Sequence, residues 1–187
     1  MDHHTEEKQR LTEELIKNGL LQVLRGKRYS EITVSDICRA ADISRGTFYR
    51  RFENISNVYA AIFADMAELT STMHDRLTAS PDQYKVPLCR LLRENKKYRG
   101  IVLDPTLSEM FVEYYAAHKE DPAVDSRSDL TPEQKRMLKA YLLMGCIYVT
   151  RKNLQSDEQN WNDLQCVIEQ FILRGCLLER QHTGPGT

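Results

Sequence analysis

Two helix starts stand eleven residues apart between Thr33 and Phe52, joined by a turn of a few residues. Thr33 followed by Asp36 is a short polar N-cap with an acid in the first turn. Val34, Ile37, Cys38 and Ala41 then recur at helical spacing and form one buried face. Asp42 is the turn residue, a type that tolerates the left-handed backbone better than most. Ser44 is the second N-cap, and Ile43 and Phe48 hold the positions of a hydrophobic staple. Phe48 and Phe52 share a face that anchors the second helix, while Gly46 and Arg50 lie on roughly the opposite side. A glycine inside a helix costs about 1 kcal/mol relative to alanine, a cost accepted where bare backbone must approach a ligand or nucleic acid. Arg45, Arg50 and Arg51 add positive charge with no acid in 44–52. Helix, short turn, helix over about 33–52 is a helix-turn-helix; taken alone, the second helix also fits an ordinary solvated amphipathic helix.

The whole chain of 187 residues has a net charge of only -1, so charge distribution says more than the total. Residues 25–51 hold seven basic and three acidic residues, a local excess of 7 − 3 = 4 positive charges, as phosphate binding requires. The first seven residues are polar, without a signal core, and no apolar run approaches the ~18 residues that span a bilayer. The expectation is a soluble, cytoplasmic protein with no membrane partner. Five scattered cysteines include no CxxC pair and mostly fall in apolar helical patterns, as small buried hydrophobes do. No GxSxG, HExxH or glycine-rich phosphate loop is present, so neither catalysis nor a metal or cofactor is expected. His3 and His4 are read as solvated, and His74 and His118 as helix-surface residues.

The rest of the chain reads as all-α, with one ambiguous run at 29–34. A first helix spans about 5–24. After Asn54, a cap, a long helix runs to about 77 with Val58, Tyr59, Ile62, Phe63, Met66, Leu69 and Met73 on one face. A helix over 87–99 is expected to end with Gly100 at its C′ position. Asp104-Pro105 starts another, and 119–130 reads as a loop. Thr131-Pro132-Glu133-Gln134 opens a helix with Leu138, Tyr141, Leu142, Gly145 and Tyr148 on one side. A last helix spans about 158–178, before a flexible tail at 182–187. The expected division is a DNA-binding domain over 1–53, a helical effector-binding and dimerisation domain over 54–181, and the tail.

Residues 8–60 resemble the DNA-binding domain of the tetracycline-repressor (TetR) family of bacterial transcription regulators. Ile37, Ala41, Ser44, Gly46, Thr47, Tyr49 and Phe52 stand where the family pattern has them. The chain departs from it at Asp42 for the usual turn glycine, Cys38 for a small alanine, and Ile55 where many members carry a phosphate-gripping lysine. The resemblance implies a two-fold homodimer on double-stranded operator DNA. By position, Thr33 and Tyr49 would contact phosphates. Arg45, Gly46 and Thr47, just after the Ser44 cap, would approach base edges, and Arg50 and Arg51 would hold the backbone. It also implies a repressor released by a small-molecule effector bound in the C-terminal helices.

Two further assignments complete the expectation. The long helix after Asn54 alone carries an apolar face from the DNA-binding region into the body. An apolar effector pocket is therefore expected at Met66, Leu69 and Met73, facing Leu88, Leu92, Phe111, Tyr114 and Tyr148. A dimer interface is expected at Gly145, Leu164, Ile168, Phe171 and Gly175, the two glycines permitting close helix approach. The alternatives are a DNA-binding dimer controlled by a protein partner or by cysteine oxidation, and a helical carrier or enzyme.

Overall fold

The computed structural model describes residues 3–78, 91–92 and 94–155, which are helices and turns with no strand among them. They form α1 (His3–Val23), α2 (Val34–Ala40), α3 (Arg45–Tyr49), α4 (Ile55–Thr78), α5 (Arg99–Leu103), α6 (Pro105–His118), α7 (Pro122–Asp125) and α8 (Pro132–Gln155). The ambiguous run at 29–34 is a 3-10 turn, Tyr29–Glu31, leading into α2.

Most helix starts follow from side-chain caps. The Asn54 carboxamide oxygen accepts the Asn57 N–H at 3.0 Å and opens α4. Asp104 accepts the Leu107 N–H at 3.1 Å, with Pro105 in the first turn of α6. Thr131 and Gln134 cap each other reciprocally, at 3.2 and 2.8 Å, ahead of α8.

One continuous core runs from the N-terminal helices into the body. Ile16 and Leu20 of α1, Ile37 of α2, Phe48 of α3, Tyr59, Ile62 and Met66 of α4, Ile101 of α5, Phe111 of α6 and Ile147 of α8 all belong to it. Glycine sets the approach of α1 to α2: a Cβ at Gly19 would lie 2.9 Å from the Ala41 Cβ and 3.1 Å from backbone atoms of Ala41 and Ile37. A part-buried ion pair ties α1 to α4, the Lys17 ammonium lying between Glu14 and Asp65. Burial pulls the Lys17 pKa down, but hydrogen bonds to Asp65 and Glu14 outweigh it and hold the ammonium above its ordinary value.

Three sequence expectations are corrected. Gly100 does not terminate a helix; a 3-10 turn at Lys96–Tyr98 leads directly into α5, and Gly100 lies inside α5 against Leu24, the residue after α1. The segment 119–130 contains α7, begun by Pro122 behind an aspartate that accepts the Val124 N–H at 3.4 Å. The second helix of the helix-turn-helix ends at Tyr49 rather than Phe52. There the N–H groups of Arg51 and Phe52 both reach back to the Phe48 carbonyl, at 2.9 Å each, and tighten the last turn.

The face that α8 turns inward is not its most apolar one. Its buried face is Lys139, Leu143, Ile147, Thr150 and Asn153, whereas Tyr141, Gly145 and Tyr148 are exposed and Leu138 and Leu142 half-buried. Polar side chains turn inward because each charge finds a partner. The Lys139 ammonium reaches Asp125 at 2.9 Å and the Lys119 carbonyl at 2.8 Å. Arg151 donates to the Val102 carbonyl at 3.0 Å and to the Ser108 hydroxyl at 2.6 Å.

Candidate nucleic-acid interface

The interface is assembled from the two caps of the helix-turn-helix. The Thr33 hydroxyl accepts the Asp36 N–H at 3.3 Å and donates to the Asp36 carboxylate at 2.7 Å, which also accepts the Thr33 N–H at 3.0 Å. Lys27 pairs with the same carboxylate at 2.8 Å. The hydrogen bonds from Lys27 and then from Thr33 hold the Asp36 carboxyl far below the ordinary carboxylate range. Asp42 turns the chain with φ 52°, in the left-handed region anticipated for it.

Ser44 caps α3 by accepting the Thr47 N–H at 3.0 Å, and the two hydroxyls lie 2.9 Å apart. Arg50 donates to the Thr47 hydroxyl at 3.0 Å, and the Arg45 guanidinium reaches the Ser35 hydroxyl of α2. Ser44, Arg45, Gly46, Tyr49 and Arg50 are exposed, and Thr47 and Arg51 half-buried. Phe48 is fully buried, with Phe52 6.3 Å away between ring centroids. Tyr49 is 56% exposed, its ring edge-on to Phe48 at 5.4 Å, so the hydroxyl end points to solvent while the ring rests on the core residue. A Cβ at Gly46 would meet only the Ser44 hydroxyl, at 3.7 Å. Nothing within the protein requires a glycine there, which leaves an external surface as the reason for bare backbone.

Charges divide into two groups. Lys27 and Arg28 are neutralised internally by Asp36 and Glu31. Arg45, Arg50 and Arg51 have no carboxylate partner among the described residues and make hydroxyl contacts or none. Three guanidiniums on one short helix and its C-terminal turn, held by neutral partners, can exchange those bonds for phosphate or base acceptors without breaking an ion pair. Cys38, under this surface, is buried; burial pushes its thiol up while the Arg45 charge pulls it down.

The residues expected to line a pocket separate. Met66, Leu92 and Phe111 are fully buried in the core, and Leu69 is half-buried against it. The Met73 side chain and Leu88 lie outside the described residues. Tyr148 is corrected: it is 60% exposed on α8, away from that helix's buried face. Of the expected set, Tyr114 lines an open groove of about 470 Å³ between α4 and α6. The groove borders Ser56 and Ala60 in the first turns of α4, nearer the helix-turn-helix than expected, and sequence reading missed it. The glutamates at 109 and 113, one turn apart on α6, are the signal that points to it. Of the expected dimer residues, Gly145 is exposed on α8; Leu164, Ile168, Phe171 and Gly175 lie outside the described residues.

Comparison with known proteins places this geometry. Residues 20–62 match the model described as bacterial regulatory proteins, tetR family. A TetR transcriptional regulator from Streptococcus agalactiae shares the fold, with a TM-score of 0.59 at 20% identity over 90% of this chain and 97% of the other. The dhaKLM operon transcriptional activator DhaS of Lactococcus lactis is 35% identical over 66 residues, 35% of this chain and 35% of that protein. Transaldolases of Campylobacter jejuni align over 168 residues at 26% identity, and the chain spans 47% of their length, about half. The helix-turn-helix region thus matches the tetR family of bacterial regulatory proteins, and the chain shares the fold of a TetR transcriptional regulator.

Proposed function

We propose that the chain is a sequence-specific, DNA-binding transcriptional regulator that acts as a homodimer and represses until a small apolar effector releases it. The observation that carries the DNA-binding reading is the surface of α3: a glycine with open space above it, flanked by guanidiniums that no carboxylate neutralises among the described residues. Thr33 and Tyr49 contact phosphates in this reading, Arg45, Gly46 and Thr47 face base edges, and Arg50 and Arg51 hold the backbone. The name of the Lactococcus relative favours a second direction of control, activation, through the same interface. Control by oxidation of Cys38 is disfavoured, because burial keeps its thiol protonated. The transaldolase likeness brings no reaction with it. The chain spans 47% of those proteins' length, and their activity is not carried over to it.

The test begins with DNA fragments selected by the intact protein from genomic DNA. Arg45→Ala and Thr47→Ala should re-rank the selected sequences, with about 1–3 kcal/mol of discrimination lost per base contact. Tyr49→Phe should weaken all of them alike, because phosphate contacts position without specifying. Re-ranking by Tyr49→Phe but not by Arg45→Ala would reverse the assignment.

A further inference from the structure

We propose that the groove between α4 and α6 binds a small organic cation with an apolar body. This deepens the effector reading by naming the chemical class of the ligand and rests on that reading only for its consequence on DNA. The groove's volume, about 470 Å³, lies in the range of small-molecule sites. Its apolar surface comes mainly from Met110 and Tyr114 on α6, over the buried Phe63 of α4, with the Phe63 and Tyr114 rings 6.0 Å apart between centroids. Aromatic faces attract cations through their quadrupole and methionine adapts to irregular shapes.

Charge selects the sign of the ligand. Glu109 and Glu113 both line the groove and stand four apart on one helix, where like charges repel. Glu109 has no cationic partner among the described residues. Glu113 receives one contact, from Arg136 at 3.4 Å, while that guanidinium is held by Glu133 at 3.2 and 2.9 Å. Three carboxylates against one guanidinium leave 1 − 3 = −2 at this edge. Lys119, which follows the last residue of α6, is paired with Glu68 at 2.9 Å. A bound cation relieves the Glu109–Glu113 repulsion and covers the aromatic surface at once. An anion with the same body meets uncompensated negative charge, and a bare metal ion makes no use of the rings.

Tetraphenylphosphonium and tetraphenylborate share one apolar shape with opposite charge, so titration calorimetry on the full chain without DNA tests the inference. The cation should bind at least about tenfold more tightly than the anion. The double variant Glu109→Gln, Glu113→Gln should lower cation affinity about tenfold while the melting temperature holds or rises, since it also removes the helix repulsion. Ser56→Trp, which fills the groove from α4 and leaves both glutamates in the sequence, should abolish binding. Equal affinity for the two ions, no binding of the cation, or full binding by the double variant overturns the inference. Release of a selected DNA fragment is measured separately. Glutamate-dependent cation binding without release upholds the site and contradicts the effector reading; release by a neutral compound with no cation binding does the reverse.

Discussion

Asp36 receives hydrogen bonds from Lys27 and from both the hydroxyl and the backbone N–H of Thr33, and so couples the cap of α2 to the loop before it. Its carboxyl pKa is depressed in the fold, so its stabilisation is present above the pKa of an unfolded aspartate and is lost as pH falls through the folded value. Thermal melts of the wild type and of Asp36→Asn should therefore differ at pH 7, begin to converge below about pH 4 and still differ at pH 3. A difference that holds constant with pH would show that the charge of Asp36 contributes nothing. The roles of Thr33, Asp42, Ser44 and Asn54 were legible in the sequence because capping and turn chemistry act between residues a few positions apart. The hydroxyl contacts of Arg45 and Arg50, which reach to Ser35 and Thr47, were not legible, because they depend on side-chain placement rather than on spacing.

At the scale of helices, the two best-described glycine sites make opposite predictions. Gly19 faces Ala41 and the Ile37 carbonyl with no room for a methyl group. Gly19→Ala should destabilise the fold by about 1–3 kcal/mol through overpacking, against a helix-propensity gain of at most about 1 kcal/mol; urea unfolding reads the net loss. A Cβ at Gly145 meets nothing within 4 Å, so a free α8 surface would gain stability from alanine. The dimer reading instead needs close approach there, and it predicts that Gly145→Ala weakens self-association in sedimentation. Unchanged association together with a higher melting temperature would return Gly145 to a solvent position. The inward face of α8 was not legible from periodicity. Lys139 and Arg151 turn inward to partners on Asp125, Val102 and Ser108, which lie far away in sequence, and so displace Tyr141 and Tyr148 outward.

Over the whole molecule, the core passes without a break from the helix-turn-helix into the body, and α4, about 36 Å long at 1.5 Å per residue, runs through both. Leu24 against Gly100 and the Tyr29 N–H 3.5 Å from Asp104 join the α1 side to the body independently of α4, while the Lys17–Asp65 ion pair fixes α1 to α4. A ligand between α4 and α6 would therefore bear on an element rigidly packed to the reading surface. It changes DNA affinity only to the extent that it prefers one of two arrangements of α4. The all-helical architecture and the helix-turn-helix were legible because both rest on local patterns. The groove was not, because it exists only where two helices distant in sequence diverge.

The central claim is that α3 reads DNA through guanidiniums not neutralised within the protein. It is tested most directly by the affinity of the full chain for a selected fragment and for its scrambled counterpart over a range of salt concentrations. The account predicts tighter binding of the selected fragment, a steep fall of log affinity with log salt, and a shallower slope, by about one per lost phosphate contact, in Arg50→Ala. A flat salt dependence, or equal affinity for the two duplexes, would contradict it.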